Sequence, residues 1–310
     1  MSIESAELHA LELAITQVNR IVLGKNEQVR LAFACLLAGG HLLLEDVPGV
    51  GKTTLAHAIA ASSGLSYQRI QFTSDLLPSD ILGVSIYERE SAVFRFHPGP
   101  IFAQLILADE INRATPKTQS ALLEAMAELQ VTGDGETRPL PLPFFVIATQ
   151  NPIDMAGTFP LPDSQLDRFL MRLSVGYPNA EAERNLLAST DRRELLIGLK
   201  PQLDTERINH LRARVHALPA SAALIDYVQR LLAASRGHAG VRVGLSPRAG
   251  LALLAAARAF AFLAGRSFVL PEDVQAVFVG VAAHRLVTGG ENTRSRDELA
   301  TLILRSTQVD

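Results

Sequence analysis

The sequence predicts an α/β fold, in which a parallel-sheet domain carries two hairpin inserts and is followed by a smaller all-α domain. Short apolar runs typical of buried strands alternate with helical patterns in the first half of the chain, and such alternation indicates a parallel sheet. Two further segments of that half have hairpin patterns, and the strand signals fade after residue 178.

Apolar periodicity and glycines mark the first strand and the helices on either side of it. Apolar residues recur at helical spacing over 26–38, and two glycines then provide a helix stop. Three consecutive leucines within 41–45 predict a strand that is buried on both faces. The next helix is expected over 52–62, with Gly64 as its left-handed cap.

Two more buried strands are expected at 105–108 and 144–149, with a helix over 115–129 between them. Thr115 can cap this helix, and Pro116 suits its first helical position. All three strands therefore fit a parallel sheet with crossover helices.

Two segments, 84–96 and 131–140, do not fit βαβ units and are predicted to be hairpins. The second contains Gly133-Asp134-Gly135, a strong turn signal between two extended stretches. Both hairpins are expected to project from the sheet.

The second half of the chain has mainly helical patterns, of which 221–235, 247–264 and 271–285 are the clearest. At 310 residues the chain is long enough for about two domains. We therefore predict a core domain over residues 1–178 and a C-terminal helical domain over 179–310.

Composition argues against several classes of protein. The net charge of −3 does not indicate the basic surface that binds nucleic acid. The single cysteine and the scattered histidines suit neither a disulfide framework nor a zinc site. No apolar run reaches the ~18 residues of a membrane span. Glu4 and Glu7 stand where a secretory signal needs positive charge, so we expect a cytoplasmic protein without membrane insertion.

A glycine-rich loop lies between the first predicted strand and the next helix, and it has the pattern of a P-loop. Its residues are Pro48, Gly49, Val50, Gly51, Lys52, Thr53 and Thr54. In a P-loop, backbone N–H groups surround phosphate oxygens, the lysine reaches the outer phosphates, and the hydroxyl after it can bind Mg²⁺. We therefore predict ATP and Mg²⁺ as cofactors, with Lys52 on phosphate and Thr53 on the metal. Asp46 departs from the common pattern, which has glycine there.

A pair of carboxylates, Asp109 and Glu110, ends the second buried strand. Ligands of open α/β sheets bind at the carboxyl ends of the strands, so both acids are expected beside the P-loop. We assign Asp109 to the Mg²⁺ site and Glu110 to polarising the attacking water, because phosphoryl transfer depends on positioning and charge neutralisation.

Asn151 follows the third buried strand and could orient water or contact the γ-phosphate. An ordinary Asn-Pro turn at the end of a strand would have the same residues at this position. The residues alone leave these two alternatives open.

Six segments, taken in order, carry a resemblance to a known family: LLEDVPGVGKTT (43–54), LADEINR (107–113), ALLEAM (121–126), ATQNP (148–152), LDRF (166–169) and LSPR (245–248). Together they resemble the MoxR family of AAA+ ATPases, and the likeness extends over residues 21–285. The ordered combination is far more specific than a P-loop alone.

This resemblance implies roles for three residues outside the P-loop and the acidic pair. Asn151 corresponds to the sensor-1 residue, Arg168 to an arginine finger that reaches a neighbouring subunit, and Arg248 to sensor 2 in the lid. The two hairpins correspond to the helix-2 insert and the pre-sensor-1 insert. Without the family pattern, we would interpret Arg168 as a surface arginine paired with Asp163 or Asp167. Arg248 would then be an arginine exposed to solvent at the start of a helix.

The resemblance further implies a self-assembled ring, commonly a hexamer, that remodels or activates protein clients, often through partners with von Willebrand factor A domains. A nucleic-acid motor and the ATPase subunit of a metal chelatase share both hairpins and stay open as alternatives. A nucleotide-bound scaffold without turnover is a further alternative. The second hairpin carries Asp134 and Glu136 against one Arg138, which argues against nucleic acid.

Overall fold

The structure, a computed structural model, describes residues 3–152, 157–188, 192–289 and 294–309. Its strands are β1 (Leu42–Glu45), β2 (Tyr67–Gln71), β3 (Gly83–Glu88), β4 (Val93–Pro98), β5 (Leu105–Asp109), β6 (Gln130–Gly133), β7 (Glu136–Pro139), β8 (Phe145–Gln150), β9 (Met171–Leu173), β10 (Val241–Val243) and β11 (Val287–Thr288).

Helices occupy most of the remaining described chain, and three short 3₁₀ segments lie at Pro100–Phe102, Ile111–Arg113 and Ala283–Arg285. The α-helices are α1 (Ile3–Ile21), α2 (Asn26–Leu37), α3 (Lys52–Ser63), α4 (Pro78–Leu82), α5 (Pro116–Glu128), α6 (Asp163–Leu166), α7 (Ala180–Ala188), α8 (Arg192–Ile197), α9 (Thr205–Ala217), α10 (Ala222–Gly237), α11 (Pro247–Leu263), α12 (Pro271–Ala282) and α13 (Arg296–Ser306). None of the described helices has the length and apolar character needed to cross a bilayer.

The predicted parallel sheet is confirmed, with five strands in the order β2-β5-β8-β1-β9. The pairs β2/β5 and β5/β8 are parallel, and β5 is buried along its whole length. The register places Gln71 opposite Asp109. Consequently the ends of β2 and β5 present polar side chains at the same edge of the sheet.

Both predicted hairpins are present. β3 pairs antiparallel with β4, and β6 pairs antiparallel with β7. In the turn of the second hairpin, Asp134 has φ 53° and Gly135 has φ 77°, as a tight hairpin turn with two left-handed central residues requires. The sequence pattern was sufficient here because the turn chemistry is local.

Most predicted helices are confirmed within one to three residues, and two details differ. Thr115 precedes α5, but its side chain makes no capping bond and instead lies 3.2 Å from the hydroxyl of Thr118. The helical second half also contains a short antiparallel ladder of β10 and β11. These strands of three and two residues are too short to produce a sequence pattern.

Residue contacts divide the chain into two compact units, each built from several segments. Unit 1 comprises Met1–Val29, Leu43–Leu161 and Ser174–Asn209. Unit 2 comprises Arg30–Leu42, Pro162–Leu173 and His210–Asp310. The single domain boundary near residue 178 that the sequence suggests stays a prediction.

Candidate active site

The loop between β1 and α3 has the backbone geometry of a phosphate cradle. Gly49 and Gly51 have φ values of 84° and 95°, a region that glycine enters without steric cost. Helix α3 begins at Lys52, so the free N–H groups of its first turn face the loop. The Lys52 Nζ donates to the backbone oxygens of Asp46 at 2.7 Å and Val47 at 2.8 Å.

Lys52 lies in an environment that is both partly buried and strongly acidic. Burial lowers the pKa of the ammonium group, and the carboxylates of Asp46, Asp109 and Glu110 oppose this shift. A cation held by backbone oxygens alone can exchange them for phosphate oxygens, which carry a full negative charge. The lysine is therefore placed to bind an anionic ligand of the loop.

Asp46 replaces the first glycine of the common P-loop pattern, and the residue is 8% exposed. The Oδ1 atom accepts from the Val47 amide at 2.8 Å, and Oδ2 accepts from the Ser174 hydroxyl at 2.9 Å and from the Gly176 amide. Burial raises the pKa of this carboxyl, but the hydrogen bonds and the nearby Lys52 outweigh it, so the pKa lies below its ordinary value. Asp46 thus joins the start of the loop to residues 174–176.

One hydroxyl group contacts both residues of the acidic pair at the end of β5. Thr149 Oγ1, at the end of β8, donates to Asp109 Oδ1 at 2.6 Å and accepts from the Glu110 amide at 2.9 Å. Glu110 has φ 56°, a left-handed conformation that is rare outside glycine and that clusters at functional sites. Thr149 therefore sets the position of both acids.

Two residues of β2 complete the site, and neither was predicted from the sequence. The Arg69 Nε and Nη2 atoms donate to Asp109 Oδ2 at 3.0 and 2.7 Å, and Gln71 Nε2 donates to Glu110 Oε2 at 3.0 Å. β2 lies at the end of the sheet, and Ile70 alone among its residues is buried. The strand therefore lacks an apolar run, and polar residues at alternate positions were the only available signal.

These groups surround a cavity of about 340 Å³ in unit 1. Its lining residues are Pro48, Gly49, Gly51, Lys52, Thr53, Thr54, Asp109, Glu110, Thr149, Gln150 and Asn151. The structure thus brings together the P-loop, the acidic pair and Asn151; the sequence predicted the two acids beside the loop and left the role of Asn151 open. Val50 belongs to the same loop but is not among the lining residues.

The donor set of the cavity suits Mg²⁺. The Thr53 hydroxyl and the Asp109 carboxylate supply oxygen atoms at its wall, and Mg²⁺ prefers oxygen ligands, usually one or two carboxylates together with water and substrate phosphates. The described residues contain no cluster of three or more His, Cys, Asp or Glu side chains that could hold a metal by themselves. The residues present therefore fit a magnesium ion that arrives with a nucleotide.

The two arginines predicted from the family resemblance belong to unit 2. Arg168 follows α6, and its amide donates to Gln165 O at 3.1 Å. Arg248 is 66% exposed near the start of α11, with its Nε 3.7 Å from Asp167 Oδ2. Asp167 also binds the buried Arg285 at 2.6 Å. The roles of Arg168 and Arg248 toward nucleotide stay predictions.

A parallel sheet that ends in a glycine-rich loop with a following lysine, beside an acidic strand end, defines the class of P-loop nucleotide-binding proteins. The chain matches the family described as "ATPase family associated with various cellular activities (AAA)" over residues 41–171 and the family described as "AAA lid domain" over residues 233–302.

Full-length relatives make the assignment more specific. Chaperone MoxR1 of Mycobacterium tuberculosis is 43% identical over 91% of this chain and 77% of its own length. The uncharacterized protein YeaC of Bacillus subtilis is 46% identical over 91% of this chain and 88% of its own. A crystal structure of a candidate ATPase from Cytophaga hutchinsonii superposes with a TM-score of 0.88 at 34% identity, covering 98% of this chain and 96% of that one. The chain belongs to the MoxR family of AAA+ ATPases.

Proposed function

We propose that this protein is a Mg²⁺-dependent ATPase that works in an oligomeric ring and remodels or activates partner proteins. The observation that supports hydrolysis most directly is the cavity in which Lys52 and the P-loop face Asp109 and Glu110. The loop would bind the phosphates, Thr53 and Asp109 would hold the metal, and Glu110 would polarise the attacking water. Metal-assisted phosphoryl transfer requires these functions and little covalent chemistry from the protein.

The proposal that the clients are proteins rests on similarity to relatives. A relative that is 43% identical is named a chaperone, and the family resemblance implies a ring, commonly hexameric, with Arg168 completing the site of a neighbouring subunit. Arg248 would report the nucleotide state to the lid, and Asn151 would act as sensor 1. We extend the proposal to protein clients, partners with von Willebrand factor A domains and a cytoplasmic location.

Nucleotide binding by the loop is tested with Lys52→Ala. We expect the affinity for ATP to fall by about tenfold to a hundredfold, because the variant loses a charge-assisted bond to phosphate. Binding of a fluorescent ATP analogue, measured by anisotropy, gives the comparison. Lys117→Ala removes the same group from an exposed position of α5 and should bind like the wild type. Equal affinity in all three proteins would refute the assignment of Lys52.

Hydrolysis and client capture are tested with Glu110→Gln. We expect ATP to bind while turnover falls by about 10²- to 10⁴-fold, the usual contribution of a general base. The variant should therefore hold ATP and retain partner proteins, which a pulldown followed by mass spectrometry would identify. Recovery of the same proteins with Lys52→Ala would contradict nucleotide-gated recruitment.

A further inference from the structure

The metal-binding carboxylate predicted at Asp109 already has a cation beside it. Two nitrogen atoms of the Arg69 guanidinium lie 3.0 and 2.7 Å from Asp109 Oδ2. The Asp109 side chain is 11% exposed, whereas that of Arg69 is 49% exposed. Asp109 is thus nearly enclosed, and the arginine stands on its solvent side.

The second oxygen of the same carboxylate is also engaged. Thr149 Oγ1 donates to Asp109 Oδ1 at 2.6 Å, and the hydroxyl accepts in turn from the Glu110 amide. Losing the Thr149 bond would disturb both acids, whereas losing the Arg69 bond frees one oxygen of Asp109 and leaves the Thr149 bonds to both acids in place. Two cations at one oxygen repel each other strongly in a partly buried site. Of the two side-chain partners of Asp109, Arg69 is therefore the one whose departure would free an oxygen for a divalent cation.

Arg69 is further connected to the predicted catalytic carboxylate. Its Nη2 donates to Gln71 Oε1 at 2.9 Å, and Gln71 Nε2 donates to Glu110 Oε2 at 3.0 Å. Arg69 and Gln71 lie on the same face of β2 because side chains alternate along a strand. Glu110 Oε2 also accepts from the Arg113 guanidinium at 2.9 Å. Both acids are therefore held by basic or amide groups in this conformation.

We propose that Arg69 is a positioning residue that serves as the resident counter-ion of Asp109 and is displaced when a divalent cation binds there. Gln71 steadies the arginine in this position and holds Glu110 at the same time. This inference rests on the proposed ATPase function.

Because the Arg69 side chain is half exposed, a divalent cation can displace it from Asp109 into solvent. A half-exposed guanidinium regains hydration when it leaves, and the arriving divalent cation replaces it as the positive partner of Asp109. Arginine also suits a counter-ion role because it stays protonated at every physiological pH. Asp109 consequently never lacks a positive partner, which limits the cost of keeping a carboxylate that is nearly enclosed.

The metal alone provides a direct test that does not depend on turnover. We expect Arg69→Met to bind Mn²⁺ in the absence of nucleotide about tenfold more tightly than the wild type, as measured by the free-Mn²⁺ signal in electron paramagnetic resonance. Arg95→Met is the matched control, since Arg95 is 66% exposed and pairs with Glu88 at 3.2 Å on the first hairpin. Equal or weaker Mn²⁺ binding by Arg69→Met would overturn the proposal.

Two further variants guard against indirect effects. Arg69→Lys keeps the charge and should restore most of the wild-type Mn²⁺ affinity, whereas a purely structural role would not separate lysine from methionine in this way. Asp109→Asn should abolish the gain of Arg69→Met. If the gain persists with Asp109→Asn, the metal binds elsewhere and the proposal fails. Circular dichroism establishes that each variant is folded.

The connection through Gln71 is tested by a double-mutant cycle. Gln71→Leu should raise Mn²⁺ affinity by about twofold to threefold in the wild-type background, because Arg69 is then less firmly held. In the Arg69→Met background the same change should have no effect. Additive effects would show that Gln71 acts independently of Arg69.

Failure of this inference is distinguishable from failure of the proposed function. If wild-type protein does not bind the fluorescent ATP analogue, the ATPase proposal fails. The Mn²⁺ measurements still decide whether Arg69 is the displaceable counter-ion of Asp109. If ATP binds and Arg69→Met leaves Mn²⁺ affinity unchanged, the ATPase proposal survives and the role of Arg69 is refuted.

Discussion

Asp46 shows how a departure from a common motif is accommodated by its surroundings. A glycine at this position would leave the loop start without a side chain, whereas the aspartate accepts bonds from Val47, Ser174 and Gly176. Its backbone oxygen also binds Lys52. One residue therefore anchors the loop through its side chain and holds Lys52 through its main chain.

We expect Asp46→Asn to lower the free energy of unfolding at pH 7 by about 1–3 kcal/mol. The carboxylate accepts three hydrogen bonds, and an amide in its place cannot accept all three with the same strength. The pKa of Asp46 is lowered in the folded protein, so its contribution is present above the unfolded-state pKa of about 3.9 and is lost as pH falls through the folded-state pKa. Urea titrations at pH 7 and pH 3 should therefore show a smaller difference from wild type at pH 3. Asp226→Asn, at an exposed position of α10, is the control, and equal losses in both variants would contradict this role.

At the scale of elements, the two hairpins contact each other. Ser85 Oγ donates to Asp134 Oδ2, and the Arg138 guanidinium lies 3.9 Å from the centre of the Phe96 ring. The first hairpin follows β2, which holds the acidic pair through Arg69 and Gln71, and the second precedes β8, which holds the pair through Thr149. Each hairpin is thus near in sequence to a strand that contacts the acidic pair.

Phe96→Ala tests whether the hairpins support each other. We expect hydrogen exchange of the amides in β6 and β7 to become roughly two to five times faster, because a cation–π contact of about 0.5–1 kcal/mol is lost. Hydrogen exchange with mass spectrometry provides the measurement. Phe94→Ala, two residues away and 73% exposed, should leave these amides unchanged. If Phe96→Ala has no effect either, the hairpins move independently.

At the scale of the whole molecule, the proposed ring makes activity depend on assembly. An arginine supplied by a neighbouring subunit completes an active site only when subunits meet. Turnover per protomer should then rise with protein concentration until the assembly is complete, whereas a subunit that works alone would have a constant rate.

We expect Arg168→Ala to bind ATP like the wild type and to lose turnover by about 10³- to 10⁵-fold, as for arginine fingers in other phosphoryl-transfer systems. Steady-state hydrolysis over a range of protein concentrations, with size-exclusion chromatography in parallel, tests both statements. Arg184→Ala, at an exposed position of α7, should hydrolyse ATP normally. Equal losses of binding and turnover in Arg168→Ala would refute a role in trans.

Local patterns of the sequence were sufficient to predict three strands of the sheet, both hairpins, the main helices of the second half and the P-loop beside the acidic pair. Each depends on residues that are close in sequence. The leucines before the P-loop predict a buried strand, and Asp134-Gly135 specifies a tight turn, whatever the rest of the chain does. Family membership likewise follows from short motifs in a set order.

The partners of these residues were decided by the tertiary structure alone. Arg69 and Gln71 reach Asp109 and Glu110 because β2 pairs with β5 in one register, and a polar edge strand has no apolar run to reveal it in the sequence. Asp46 meets Ser174 and Gly176 across 128 and 130 residues of chain. Local propensity carries no information about contacts at such separation, because these contacts form only when the packing of the whole core brings the strand ends together.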